Sequence, residues 1–313
     1  MTRDLNFPIK PEDAGLTIEQ FLKSKGISRK MMIRLRNGRG IMVDGLPAIT
    51  PRKLEEGETL ELHLCENEPS PNIIPHPLPF PLVYEDQDLA VVNKPAGMPI
   101  HPSQGNFENT LANAAAWYYQ QKGQPFTYRV INRLDRDTTG LLILAKHGIS
   151  ACILSQMSAK REIHREYLAI AQGLLPEEGI IDAPIARADR STILRQVDWQ
   201  RGEQARTHFR RLLYRKDLDL SLAGLKLETG RTHQIRVHLS YIGHPIPGDF
   251  LYCPDYRLIS RQALHSYRLR FRHPITRETM EFTAPLPQDM NRLLTAASED
   301  LLDNDFSKSQ PQL

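Results

Sequence analysis

The chain has 313 residues, with 40 basic residues against 37 acidic ones and 40% hydrophobic content. That length supports two domains with packed cores, and a pI near 8.7 permits a nucleic-acid partner without requiring one. No apolar run approaches membrane-spanning length and Met1-Thr2-Arg3-Asp4-Leu5 has no signal-like apolar region, so a soluble, cytoplasmic protein is expected.

In chain order, a small unit is predicted over residues 14–64. Thr17 is placed to cap a helix whose Ile18, Phe21 and Leu22 share one face, and Ser28 to cap a second helix holding Met31, Met32 and Leu35. The second helix carries Arg29, Lys30, Arg34 and Arg36, with Arg39 just past its end and no acid between residues 28 and 39. Ile41–Val43 and Thr59–Leu64 read as strands. Such a charge run is either a solvated face or an RNA contact. A composition break follows at residues 65–81, where six prolines fall among residues 66–81. These exclude a helix or a central strand and predict a semi-rigid linker crossed by few contacts.

The second domain is predicted over residues 82–298. It opens as strand, acidic turn, strand and Pro-Gly turn (Leu82 to Gly97), then a capped helix from Thr110 to Gln121. Leu218, Leu220 and Leu222 alternate as in a half-buried strand. Strands and short helices without a regular βαβ beat indicate an α+β fold with a mixed central sheet and a catalytic cleft. Residues 299–313 are polar and acidic, and are expected to form a flexible tail. Cys65, Cys152 and Cys253 are scattered with no Cys-x-x-Cys pair, which points to a reducing compartment rather than to zinc or disulfides.

Three segments carry the chemistry. Arg133-Leu134-Asp135-Arg136-Asp137-Thr138-Thr139-Gly140 sets a carboxylate between two arginines and runs into the apolar Leu141–Ala145. An acid flanked by cations is expected to stay ionised, which suits a nucleophile or charge stabiliser better than a proton donor. Arg165 to Ala171 alternates like a strand, with Tyr167 on the side of the small Ala169 and Ala171. Gly230 to Leu239 places Arg231 and Arg236 at the mouth of a helix.

Together these segments resemble the RluA-type pseudouridine synthases, from about residue 82 to about residue 290. Arg133, Leu134, Asp135, Thr138 and Gly140 match that family's first core motif, while Asn132 and Thr139 stand where His and Ser are usual. Residues 14–64 resemble the small alpha-L RNA-binding domain often fused to such enzymes. The resemblance implies an isomerase that breaks a uridine C–N glycosidic bond and rejoins the base through carbon 5. No group enters or leaves, so neither cofactor nor metal is expected. It further implies Asp135 as the catalytic carboxylate, Arg231 as its ion-pair partner, Tyr167 stacking on the flipped base, and Arg133 filling the vacancy in the RNA stack.

Lys94, Arg136 and Arg236 are expected phosphate contacts, as are Arg29, Lys30, Arg34, Arg36 and Arg39 of the basic helix. The partner is then RNA, with large-subunit rRNA favoured over tRNA by the fused domain, and the protein is expected to act as a monomer. His233, His238 and His244 are spaced by five and six residues, on different helix faces, which argues against a metal site. Two rival readings stand beside this one. Asp135 and Asp137 fall on one side of an extended segment, as a glycoside or nucleoside hydrolase needs, but flanking arginines would leave no proton donor. A non-catalytic ribosome-assembly protein would not need Asp135, Tyr167 and Arg231 together.

Overall fold

The computed structural model describes residues 2–189 and 193–295; the predicted tail lies outside them. The N-terminal unit contains β1 (Thr2–Pro8), α1 (Ile18–Ser24), α2 (Arg29–Asn37), β2 (Ile41–Val43), β3 (Leu46–Pro47) and β4 (Thr59–Cys65). Its sheet runs β1-β4-β2-β3, and β1 pairs along its whole length with β4, from Thr2 opposite Cys65 to Pro8 opposite Thr59. The unit therefore starts at residue 2 rather than 14. The alternation within β1 is hard to read because its inward positions are Arg3, Leu5 and Phe7, one of them charged. The predicted caps are made: Thr17 forms a capping box with Gln20, and Ser28 accepts the Met31 amide.

The second domain follows with β5 (Leu82–Glu85), β6 (Leu89–Lys94), α3 (Leu111–Gln121), β7 (Thr139–Ala145), α4 (Gly148–Ala159), β8 (His164–Gln172) and β9 (Glu178–Asp182). Next come β10 (Ile185–Arg187), β11 (Arg195–Val197), β12 (Arg206–Arg215), β13 (Leu220–Leu227), α5 (Gln234–Tyr241), β14 (Leu264–Arg272), β15 (Thr279–Thr283) and α6 (Gln288–Arg292). A nine-stranded sheet runs β5-β6-β7-β14-β8-β13-β12-β9, with β15 against β14. The pairs are antiparallel except β7 with β14, so the sheet is mixed and the fold α+β, as expected. Gly140 allows that parallel crossing. It sits at φ +113, and a Cβ there would lie 2.2 Å from the Ser266 carbonyl oxygen.

Period-2 alternation sorts the core. Ala90, Val92, Leu142 and Leu144 face one layer with Leu111, Ala115 and Tyr119 of α3. Leu89, Val91, Leu141, Ile143 and Ala145 face the other layer. That second layer is continuous with Ile18, Leu22, Met31 and Leu35 of the N-terminal unit and with Ile149, Ile153 and Met157 of α4. The expectation of few contacts across the linker is therefore overturned. A Cβ at Gly148 would fall 2.0 Å from the Met31 methyl carbon, so the two units interdigitate there.

The proline-rich segment is a fixed strap rather than a spacer. His76 donates its amide to the Asn113 carbonyl oxygen, and Asn113 donates its side chain to the Ile74 carbonyl oxygen. Ile73, Leu78 and Phe80 pack on the first layer. At the strap's start, buried Glu66 accepts from Arg34 of α2 at 2.7 Å, from Arg129 at 2.9 Å and from the first amide of α4, joining both units through one carboxylate. Arg3 of β1 adds a bidentate pair with buried Asp88.

Candidate active site

Asp135 sits in the turn between Asn132 and the start of β7. Asn132 is buried; its amide donates to the Leu141 carbonyl oxygen and its oxygen accepts the Ile143 amide, so it laces the turn to β7. Thr139 bonds His265 at 2.8 Å. Both departures from the family motif thus carry specific anchoring bonds. Lys94 is fully buried and donates to three carbonyl oxygens, those of Pro95, Met98 and Arg136. Burial pushes its ammonium down to about 7, against acceptors that suit only the protonated form. Lys94 is therefore a strut beneath the turn, not the expected phosphate contact. Arg261 and Gln262 brace the same turn through the Asp137 carbonyl oxygen and the Thr138 hydroxyl.

The ion-pair partner of Asp135 is Arg236, not Arg231. Arg236 donates from Nη1 to Asp135 Oδ2 at 2.8 Å, and from Nε and Nη2 to Asp249 at 2.6 and 2.7 Å. Arg236 is 1% exposed and Asp249 0%, whereas Asp135 keeps 28% and faces the cleft. Asp249 also accepts the Leu251 and Tyr252 amides. The Phe250 and Tyr252 rings flank the guanidinium with centroids 5.5 and 5.2 Å away. Burial works against its charge, but the bonds and attraction of the two carboxylates prevail and raise its proton affinity. The expectation that Arg236 contacts phosphate does not survive this geometry.

Arg231 lies before the helix, at the cleft rim, where it pairs with exposed Glu203 and donates to the Gln204 carbonyl oxygen. What separates the two arginines is burial, which only the structure supplies. Arg236 sits between Ile235 and Val237 in a helix buried from Gln234 to Leu239, and an arginine there requires carboxylates. Asp249 escapes sequence reasoning because it lies 13 residues downstream in a turn whose approach to α5 is purely tertiary.

Tyr167 is 5% exposed in the middle of β8, opposite Leu225 of β13 and Ser266 of β14. Ala169 opposite Ala223 provides the small surface beside it. Asp135, Arg133, Tyr167, Arg231, His233 and Arg236 all line one cleft of about 1620 Å³. Arg133 is exposed at its edge. Arg136 is exposed too but turns to Asp137 through a forked contact. Asp137 does not line the cleft, so the paired-acid arrangement of the hydrolase reading is absent there. His238 is held by Thr207 and the Ala183 carbonyl oxygen, and His244 by the Gln172 carbonyl oxygen, and the three histidines form no shared ligand cluster among the described residues.

Among the described residues, Asp86, Asp88 and His273 have ligand atoms close enough to share an ion. Their oxygens, however, already accept from Arg3, His147, Tyr84 and backbone amides. No described helix is long and apolar enough to cross a membrane.

The family model described as RNA pseudouridylate synthase matches residues 88–241, which include the Asp135 turn, Tyr167 and the Arg236 helix. An RNA pseudouridine synthase of Bacillus subtilis, YjbO, named as uncharacterized, is 38% identical over 89% of this chain and 98% of its own. The chain belongs to the RNA pseudouridylate synthase family. Ribosomal large subunit pseudouridine synthase D of Haemophilus influenzae is 38% identical over 83% of this chain and 84% of its own. A solved structure of human RNA pseudouridylate synthase domain containing 1 superposes with a TM-score of 0.55 at 26% identity, over 70% of this chain and 94% of that one. This pseudouridine synthase is thus an isomerase acting on RNA, and the hydrolase and non-catalytic readings fall away.

Proposed function

We propose that the protein isomerises specific uridines of large-subunit rRNA, with Asp135 as the carboxylate that works at the target ribose. The observation that carries this is the grip on Asp135: Arg236 holds Oδ2, while the side chain keeps 28% exposure in a cleft that also holds Tyr167. The reaction breaks N1–C1′, forms C5–C1′, removes the proton on C5 and returns one to N1. A carboxylate can start it by attacking the anomeric carbon or by taking the proton of the neighbouring ribose carbon. Both routes need the ionised form at a fixed position, and the Asp249–Arg236 pair supplies that fixation. Tyr167 offers a ring on which the flipped uracil stacks, and Arg133 at the cleft edge reaches into the vacancy left in the RNA.

The N-terminal unit serves as an alpha-L type RNA-binding domain, presenting Arg29, Lys30, Arg36 and Arg39 on exposed positions of α2 and its end. Arg34 of the same helix is tied to Glu66 and contributes less. The rRNA assignment draws on the name of the Haemophilus relative. Mapping pseudouridines in rRNA and tRNA from a strain lacking the protein tests it. A site lost from large-subunit rRNA is expected, and a loss confined to tRNA overturns the substrate. Restoration of the site by wild type but not by Asp135→Asn assigns the chemistry.

A further inference from the structure

Resting on that reading, we propose that His233 recognises the 2′-hydroxyl of the target ribose and so makes the enzyme selective for ribose over deoxyribose. His233 Nε2 lies 3.9 Å from Asp135 Oδ1, too far for a hydrogen bond and on the side of the carboxylate that Arg236 leaves open. A carboxylate acting at C1′ or C2′ brings the 2′-substituent beside that oxygen. A hydroxyl both donates and accepts, so it can bridge the gap, donating to Asp135 Oδ1 and accepting from His233 Nε2–H.

The imidazole is built for this task. His233 is the residue before α5 and adopts φ 58, the left-handed region that costs a non-glycine residue about 1 kcal/mol or more. Its side chain is 12% exposed and packs edge-to-face on Tyr252. The Tyr252 hydroxyl accepts the Arg195 amide and lies 3.1 Å from His233 Nδ1. Donation of the hydroxyl proton to Nδ1 leaves the ring proton on Nε2, aimed at the cleft. Burial pushes the imidazole down, which keeps it a neutral donor that does not compete with Arg236 for Asp135. By contrast, both ring nitrogens of His238 are already bonded.

The test is a cycle of two proteins and two substrates. Wild type and His233→Ala are assayed on an rRNA fragment carrying the mapped target as uridine or as 2′-deoxyuridine, with kcat and KM measured separately. Wild type should lose about 10- to 100-fold in kcat/KM on the deoxy target, the consequence of an unmatched buried polar group. His233→Ala should lose a similar factor on the ribose target and less than about two-fold more on the deoxy one. Equal losses on both sugars, or a wild type indifferent to the sugar, overturn the assignment. His233→Asn guards against misfolding, because Asn tolerates the left-handed region and keeps an N–H donor. It should retain part of the sugar discrimination, and a variant that melts like wild type yet discriminates no better than His233→Ala counts against the hydrogen bond. A wild type that makes no pseudouridine from the ribose fragment instead sinks the isomerase reading itself.

Discussion

The Asp135 cleft and the α2 surface are both arginine-rich, yet their arginines do opposite things. In the cleft, Arg236 is locked by carboxylates 13 and 101 residues away in sequence. On α2, Arg29, Lys30 and Arg36, with Arg39 just past its end, lie within eleven consecutive residues and stay exposed. Position in the fold therefore separates them: the buried guanidinium is consumed by two carboxylates, and the exposed cations of α2 other than Arg34 keep their charge at the surface.

The largest effect should follow Asp135→Asn. It removes a carboxylate needed in the transition state while keeping the shape of the site, so turnover should fall by roughly 10²–10⁴-fold or more. RNA affinity should barely change, because ground-state binding rests on other groups. Pseudouridine formation at near wild-type rate in a quantitative assay would falsify the assignment.

Asp249→Ala leaves the Arg236 guanidinium buried with a single end-on partner. Breaking one side of a buried ion pair costs about 3–5 kcal/mol, to be read as a lowered denaturant midpoint, with turnover falling as Asp135 loses its fixed partner. A variant as stable as wild type would mean that Arg236 reaches water and that the buried side of the contrast is misdrawn.

Tyr167 tests the cleft wall. Tyr167→Phe should preserve binding and lower turnover, since only the hydroxyl is removed. Tyr167→Ala should also remove base stacking, worth about 1–3 kcal/mol in RNA binding. If both behave like wild type, the tyrosine is a core residue and the base sits elsewhere in the cleft.

The same contrast explains what can be read from sequence. Local signals suffice for α1, α2 and α3, whose caps Thr17, Ser28 and Thr110 each accept the amide three residues on. β8, β13 and the apolar run of β7 are legible as strands for the same reason, although β13 is buried on both faces rather than half-buried as its alternating leucines suggest. Asp135 and Tyr167 carry motif signatures within their own segments, and both line the cleft. What stays hidden is tertiary. Arg231 and Arg236 are five residues apart in one basic segment, and only the buried helix face and Asp249 separate their roles. Lys94 misleads because three backbone carbonyls, invisible in a side-chain pattern, consume its ammonium. The strap looks free because proline content reports stiffness, not packing.

On the exposed side, replacing Arg29, Lys30, Arg36 and Arg39 with alanine should leave stability nearly unchanged, as none of them supports the core. Affinity for the rRNA fragment should drop at low salt. The slope of log affinity against log salt should flatten by about 0.7–0.9 for each phosphate that is no longer neutralised. Deleting the whole N-terminal unit is the wrong experiment, because it would strip Ile18, Leu22 and Met31 from a layer shared with β6, β7 and α4. An unchanged slope in the alanine variant would reduce α2 to a solvated face.

The smallest effect is predicted for Arg231→Ala, and it separates the two arginines directly. Arg231 is 41% exposed and its partner Glu203 70% exposed. An exposed pair contributes about 0–1 kcal/mol, so unfolding should be almost unaffected. Its removal should raise KM modestly, through one rim cation beside the RNA path, and leave kcat close to wild type. Arg236→Ala should do the reverse, lowering kcat and stability together, because Asp135 and buried Asp249 lose their common partner. If Arg231→Ala instead abolishes kcat while Arg236→Ala spares it, RNA binding must rebuild the turn before α5 and bring Arg231 inward to Asp135.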